Sequence, residues 1–512
     1  MLPRLPIGQQ YFRGIREEGS LYIDKTEHIY NLIRSSKYFF LARPRRFGKS
    51  LTLSVISELF QGSQELFKGL WIEDKWDWEQ TNPVVHIQFN EINYKDQPLE
   101  VALRRALLQQ YKRHNIEPQG EVVSDLFGDL LQELSDKKGR VVLLIDEYDK
   151  PLIDYLTKDK IEQGLAHQAQ LKSFYSVIES SDTYLKFVLI TGVSKFSKVG
   201  VFSDLNNLLD ITFHRLGENL VGISQEELET HFGAAIDHRE KETGQTGIRD
   251  RIKMWYNGYS FFDGQVKLYN PFSILSFFSA WEFQNFWFST GTPTFLVNLL
   301  RERNYYRFDR ASVGQSGFES YQIDQLETVP LLYQTGYLTI KNYDRELLVY
   351  DLDYPNREVK DSMLQHLIAA FSRGNIFESA PTVVKLRSAF LTNDLEKVVE
   401  IINNLFQSIP HQLFIEAKEN LYHALIHLLF TYLGQYIQSE VSVLRGRIDS
   451  VVQTDSHVYI IEFKLDQSAQ AALDQIQEKD YMAPYRESGK EIVALGINFN
   501  SEQKRIDGWL TA

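Results

Sequence analysis

Apolar residues follow two kinds of pattern along this chain. Short, nearly continuous apolar runs occupy Tyr38–Ala42, Val84–Phe89, Val141–Ile145 and Phe187–Ile190. Runs of this length, rich in β-branched and aromatic residues, predict strands buried on both faces, as in a parallel sheet. Between them, Leu51–Phe60 and Leu99–His114 repeat apolar positions at helical spacing. Strand alternating with helix predicts an α/β fold over residues 1–215, a parallel sheet with helices on both faces.

The pattern then changes twice. Over 216–375, aromatic-rich helical stretches at Phe272–Trp287 and Phe295–Arg303 precede short strands near Gly336–Ile340 and Leu347–Leu352, which predicts a helical lid and a connecting domain. Over 376–512 a second α/β domain is expected. Its helix Glu416–Gly434 sets Leu421, Leu425, Leu428, Leu429 and Tyr432 on one apolar stripe. Strands Ile437–Leu444, Arg445–Gln453 and His457–Leu465 follow, then a helix Ser468–Tyr481 and a last strand Glu491–Ile497.

Composition narrows the class without choosing the chemistry. The 512 residues suffice for about two to four domains. There is no cysteine, which excludes a disulfide framework and thiolate metal sites. No apolar stretch approaches the roughly 20 residues of a membrane span, so a cytoplasmic protein with no membrane partner is expected. A net charge of −13 argues against a surface that coats nucleic acid, and leaves room for a local basic cleft.

Candidate chemistry begins between the first strand and its helix. Arg43-Pro44-Arg45-Arg46-Phe47-Gly48-Lys49-Ser50 matches the phosphate-binding pattern G-x-x-x-x-G-K-[ST], with arginine in place of the first glycine. The backbone from Arg45, Arg46 and Phe47 through Gly48, Lys49, Ser50 and Leu51 is expected to cradle the phosphates of ATP at a helix N-terminus. Lys49 would pair with the β- and γ-phosphates, and Ser50 would ligate Mg²⁺. Arg45 and Arg46 read either as phosphate or partner contacts or as solvated loop charges. Downstream, Val141–Ile145 runs into Asp146 and Glu147. Asp146 suits the Mg²⁺ position, and Glu147 suits the polarisation of an attacking water. Thr191, at the end of another strand, reads either as a γ-phosphate sensor or as an ordinary strand-end threonine. Pro44 biases Arg43 towards an extended backbone, so ATP binding is a firmer expectation than fast hydrolysis.

This first half resembles the AAA-ATPase-like proteins of bacteria and archaea. The resemblance rests on Pro6-Ile7-Gly8, Ile15-Arg16-Glu17-Glu18-Gly19, Tyr22-Ile23-Asp24-Lys25-Thr26, the 43–50 loop with its arginine, Thr191-Gly192-Val193-Ser194-Lys195-Phe196-Ser197, Trp255-Tyr256-Asn257-Gly258-Tyr259 and Leu268-Tyr269-Asn270-Pro271. It implies a P-loop ATPase of the branch with an additional central strand. It also implies that Asp24, Lys25 and Thr26 lie near the nucleotide. Read from the residues alone, Asp24 or Thr26 would instead cap the helix that follows.

A second cluster lies at the C-terminal end. Along His457–Leu465 side chains alternate, so Val458, Ile460, Glu462 and Lys464 share one face. Asp449 on the preceding strand can meet Glu462. Two carboxylates and the Phe463 carbonyl would make an oxygen site for Mg²⁺, with Lys464 orienting water and stabilising a pentacovalent phosphate. The alternative is structural: an ion pair of Glu462 with Lys464, or of Asp449 with Arg447. The order of elements and these residues resemble the core of PD-(D/E)XK nucleases. That resemblance implies supporting roles for Gln475 and Tyr481 and a further metal-side acid at Glu419, with Glu416 competing. Ile448 departs from it by standing where a proline is usual. The expectation is an ATP-binding, ATP-hydrolysing protein coupled to a Mg²⁺-dependent nuclease acting on DNA, or on RNA, with ATP gating and a role in defence. The rival is a nucleotide-operated switch with slow hydrolysis and a C-terminal domain that binds nucleic acid without cutting it. Oligomers are compatible with both.

Overall fold

The computed structural model describes residues 2–512 except 158, 196–200, 203–204, 289–293, 304, 307–310, 319–326, 373–375, 408, 410–417, 435–437 and 442–448; the side chains of 294–295, 376–378, 418–421, 423 and 438–441 also lie outside the description. The chain forms two compact units. One comprises Met1–Thr290 with Phe308–Glu358, the other Gly291–Arg307 with Val359–Ala512.

The first unit is built on strands β1 (Tyr38–Ala42), β2 (Val84–Gln88), β3 (Val141–Asp146), β4 (Leu185–Gly192) and β5 (Leu209–Asp210). All pairings are parallel, in the order β2-β3-β4-β1-β5. Strand β4 separates β1 from β3, the additional central strand that the family resemblance implies. Alternation along β1 sends Tyr38, Phe40 and Ala42 into one core, and Phe39 and Leu41 into the other. Both faces are therefore dry, which is why these strands are apolar at nearly every position. Ala42 pairs with Gly192, and Gln88 with Asp146, so the strand ends that carry the chemistry lie along one edge of the sheet.

Several elements depart from expectation. The helix predicted from Leu51 begins at Lys49, directly after Gly48 at φ 99°. The stretch Phe272–Trp287 is helical only over Pro271–Ala280, because Trp281 turns to φ 55° and ends the helix. The helix expected at Phe295–Arg303 spans Thr294–Glu302. Strands β6 (Ala311–Gly314), β7 (Thr339–Asp344) and β8 (Val349–Asp353) form an antiparallel sheet in the order β6-β8-β7. Its Tyr350 joins Phe213, Phe318 and Tyr333 in one aromatic cluster, so residues 216–290 and 308–358 consolidate with the parallel sheet in a single unit.

In the second unit β9 (Gln438–Val441), β10 (Ser450–Gln453) and β11 (His457–Leu465) form an antiparallel meander. Strand β12 (Glu491–Asn500) lies parallel to β11, and β13 (Arg505–Thr511), absent from the sequence expectation, is antiparallel to β12 at the sheet edge. Val458 and Ile460 pack on Leu473 and Ile476 of the helix Ala469–Glu478. On the other face Tyr459 meets Phe390, and Phe463 meets Phe430 of the helix Lys418–Leu433. Most of the expected strand Arg445–Gln453 before Ser450 lies outside the described residues. Among the described residues no helix is long and apolar enough to cross a membrane.

Candidate phosphate-binding and metal-binding sites

Arg43 is not a phosphate ligand. Its side chain is buried (1% exposed) and turns back into the unit. Nη1 donates to the carbonyls of Ala42 and Thr212 at 2.8 Å, and Nη2 to that of Gly217 at 2.7 Å. The guanidinium also lies 4.2 Å above the Phe261 ring. Burial pushes it down to about 10, so it stays charged at neutral pH. The arginine at the usual glycine position thus fixes the loop to the chain beyond β5.

The rest of the loop is exposed where phosphates would be met and anchored behind. Arg45 and Arg46 are exposed, and Arg46 adopts φ 65° with its guanidinium 3.9 Å over Phe272. Phe47 is buried between Tyr259 and Phe261, and its carbonyl accepts from Gly222 N. Gly48 needs its left-handed backbone to open the helix, and Leu51 packs partly buried on the core beneath. The stretches 255–259 and 268–271 contribute to this backing through Tyr259 and Asn270. Gly258 passes so close to Pro355 that a Cβ would meet its carbonyl oxygen at 2.1 Å. Asn270 Oδ1 accepts from Phe272 N and Ser273 N, while its Nδ2 donates to the Arg45 carbonyl at 3.5 Å.

Lys49 is buried, and Nζ donates to the carbonyls of Arg43 and Pro44 at 2.9 and 3.0 Å. Burial lowers its pKa, opposed by Glu147, Asp146 and Asp149. Asp146 receives both neighbouring hydroxyls: Ser50 Oγ at 2.5 Å on Oδ2 and Thr191 Oγ1 at 2.6 Å on Oδ1. Ser50, Asp146 and Thr191, far apart in sequence, are therefore brought together. Glu147 follows at φ 53°, a backbone conformation unfavourable for a residue with a Cβ, and its Oε2 stands 3.9 Å from Lys150 Nζ.

Two residues here escaped the sequence reading. Asp149 is buried and accepts from Ser194 N at 2.6 Å, from Ser194 Oγ and from Val193 N, which ties the turn after β3 to the end of β4. Burial raises its pKa, against those hydrogen bonds. The doubled acid in Asp146-Glu147-Tyr148-Asp149 was the available signal. His86, on β2, lines a cavity of about 220 Å³ with Ser50, Ser54, Gln88 and Arg113. Burial pushes its imidazole down to about 4, and Nε2 has no hydrogen-bond partner among the described residues. Asp24 accepts from Thr26 N and Oγ1 at 2.8 and 2.7 Å and from Trp71 N, but neither Asp24 nor Thr26 is the helix N-cap, which is Lys25 with no side-chain cap bond; buried Lys25 pairs with Glu227.

The second cluster assembles at the end of β11. Glu462 is 2% exposed. Its Oε1 accepts from Lys464 Nζ at 3.1 Å, and Lys464 Nζ also donates to Gln475 Oε1 at 2.5 Å. Its Oε2 is buried with no hydrogen-bond partner among the described residues. Asp449 Oδ2 accepts from Phe463 N at 2.9 Å. Burial first, then the Asp449 charge, pushes the Glu462 carboxyl up to about 7. An unpartnered buried carboxylate oxygen beside a second carboxylate favours a bound cation. The residues thus fit a hard divalent metal, with two acids converging rather than three: among the described residues no cluster of three or more metal-binding side chains forms. Glu416 and the side chains of Glu419 and Arg447 lie outside the description. Tyr481 is buried in the apolar cluster with Val458, Ile460, Leu473 and Ile476, its hydroxyl without a partner among the described residues.

Comparison with known proteins agrees with both halves. Residues 6–202 match the family model described as "Predicted AAA-ATPase", and residues 417–509 match that of the PD-(D/E)XK nuclease superfamily. A protein of Azotobacter chroococcum mcd 1, described as "Uncharacterized protein in vnfD 5'region", is 36% identical over 523 aligned positions, covering 99% of this chain and 98% of that one. The chain belongs to the AAA-ATPase-like family and carries a PD-(D/E)XK superfamily domain at its C-terminal end. For the arginine at the loop's usual glycine position the structure gives a physical reason: a buried cation holds three carbonyls that a glycine would leave unbridged.

Proposed function

We propose that the protein binds and hydrolyses Mg-ATP at the 43–50 loop and cleaves phosphodiester bonds of DNA at the Asp449–Glu462–Lys464 cluster, with nucleotide state gating the cleavage. One observation carries the nuclease reading: Glu462 is buried next to Asp449 with Oε2 unpartnered, while Lys464 is steered by both Glu462 and Gln475. A structural ion pair would not require that orphan oxygen. Asp449 and Glu462 would hold the divalent ion, with Glu419 as a further candidate ligand. Bound there, the ion neutralises charge on the scissile phosphate and acidifies a water. Lys464 would orient that water and stabilise the extra negative charge as its oxygen bonds to phosphorus and one P–O ester bond breaks. At the other site Lys49 would hold the phosphates. Asp146, with Ser50 and Thr191 on its two oxygens, would hold the Mg²⁺ side, and Glu147 would take a proton from the attacking water.

The test is cleavage of labelled single- and double-stranded DNA with Mg²⁺ or Mn²⁺, with and without ATP. Wild type should cut, Glu462→Ala and Lys464→Ala should not, and Lys49→Ala should lose the ATP dependence while keeping the metal-dependent cut. Cutting by Glu462→Ala would remove the nuclease assignment. ATP affinity without turnover, together with DNA binding without cutting, would point to the nucleotide-operated switch instead.

A further inference from the structure

The chain crosses between its two units after Thr290, after Arg307 and after Glu358. The first and third of these crossings follow residues that are hydrogen-bonded to the phosphate loop or to its direct partners. The Arg45 carbonyl, in the middle of the loop, accepts from Trp287 Nε1 at 3.3 Å. The backbone N–H of Trp287 donates to Glu358 Oε1 at 2.8 Å. A second route runs beside it. Asn270 reaches the Arg45 carbonyl and caps the helix Pro271–Ala280, whose Ser273 Oγ donates to Glu358 Oε2 at 2.8 Å.

These parts are buried and closely packed. Glu358 is fully buried (0% exposed), with hydrogen bonds on both carboxylate oxygens. Trp287 is wedged against Phe288 and Tyr337, with ring centres 5.4 and 5.2 Å away. A backbone carbonyl inside a phosphate-binding loop has to readjust when anions occupy the neighbouring amides. Here that carbonyl is bonded to a large side chain that cannot yield without moving its own main chain, and that main chain holds the carboxylate opening the helix Arg357–Ser372. Packed, hydrogen-bonded groups of this kind can carry coupling, and the links from Arg45 through Trp287 to Glu358 are in place.

We propose that Trp287 is a positioning residue that reports the state of the phosphate loop to the chain crossings at Thr290 and Glu358, with Glu358 as the receiving group. The proposal rests on the nucleotide reading of the loop and adds the route by which nucleotide state leaves it. Hydrogen–deuterium exchange on the full-length protein, with and without Mg-ATP, tests it, alongside ATP affinity measured by titration. In wild type, ATP should change exchange by about threefold or more in peptides spanning 284–288 and 355–364. Trp287→Phe keeps an aromatic ring of smaller size and removes the Nε1–H. It should retain ATP affinity within about threefold and lose the ATP-dependent change at 355–364. Should that variant fold poorly, Glu358→Gln, which keeps the shape and sets a donor against one of the present donors Trp287 N, Ser273 Oγ and Phe286 N, should weaken the same response. A wild type that binds ATP with neither peptide responding overturns the relay and leaves the nucleotide reading standing. A Trp287→Phe protein with the full response also overturns it. Wild-type binding no better than that of Lys49→Ala overturns both, and the binding curve tells the cases apart.

Discussion

Replacing Glu462 by glutamine should stabilise the metal-free protein while destroying its cleavage activity. The carboxyl titrates near 7 in the folded unit against an ordinary value of 4.5, because burial and the Asp449 charge both oppose its ionisation. A folded value above the unfolded one means that the unfolded chain releases its proton first. Stability is therefore full below about pH 4.5, falls as pH rises, and levels off above about pH 7, by roughly 3 kcal/mol at most. Glutamine imitates the neutral acid, keeps the shape, and leaves Lys464 bonded to Gln475. Without metal, Glu462→Gln should match wild type near pH 4.5 and exceed it by about 2–3 kcal/mol at pH 8. A divalent cation should reverse the order at pH 8 by binding only the wild type, releasing close to one proton at pH 6. Denaturant titration in chelator, read by exchange of the β11 and β12 amides, follows the second unit alone. Calorimetric titration with Mn²⁺ in two buffers counts the protons. Glu462→Gln less stable than wild type at pH 8 without metal, or metal binding with no proton release, would refute the reasoning.

Two further outcomes follow from the phosphate loop. Arg43→Gly restores the general motif yet removes three hydrogen bonds from a buried guanidinium, so it should cost about 3 kcal/mol or more in denaturant unfolding of the first unit and weaken ATP binding; improved ATP binding would contradict the anchoring role. Glu147→Gly relieves a residue held at φ 53°, so stability should stay level or rise by up to about 1 kcal/mol, while phosphate release falls about a hundredfold or more. Retained turnover in that variant would take the general-base role from Glu147.

Strands buried on both faces were legible because their composition leaves no alternative. Tyr38–Ala42 and His457–Leu465 have the bounds read from sequence, and Val141–Asp146 differs by one residue. The edge strand Val84–Gln88 was legible to within one residue, and two other edge strands were not. Leu209–Asp210 is too short to show a pattern, and Arg505–Thr511 mixes Asp507, Gly508 and Trp509 on an edge where only one neighbour constrains it. The helix over-read to Trp287 shows the limit of hydrophobicity as a guide. Apolar residues continue past Ala280, but Trp281 leaves helical backbone, and Phe283 and Phe286 reach the same core as Phe277 without being helical. Site residues were legible where chemistry forces a residue type, as at Lys49, Asp146 and Glu462. They were hidden where the role is to hold backbone, as at Asp149 and Glu358, whose partners lie 44 and more residues away in the chain.

Both candidate sites share a construction that bears on how they would be switched. At each, a buried charged group is held by partners that a ligand would have to compete with or complete. Lys49 is tied to the carbonyls of Arg43 and Pro44, so a phosphate must win the ammonium from its own loop. Burial, then the Asp449 charge, pushes the Glu462 carboxyl up to about 7, so below that pH a cation has to displace a proton. Ligand binding at either site therefore changes the protein's internal hydrogen bonds or protonation, rather than filling a finished cavity. A preformed site would bind more tightly and report less. The Arg45–Trp287–Glu358 chain gives the first of these rearrangements somewhere to go, since the carbonyls that compete for Lys49 are those of the two residues immediately before Arg45. For a protein that joins an AAA-ATPase-like domain to a PD-(D/E)XK superfamily domain, a loop that must rearrange to bind is what the proposed control requires.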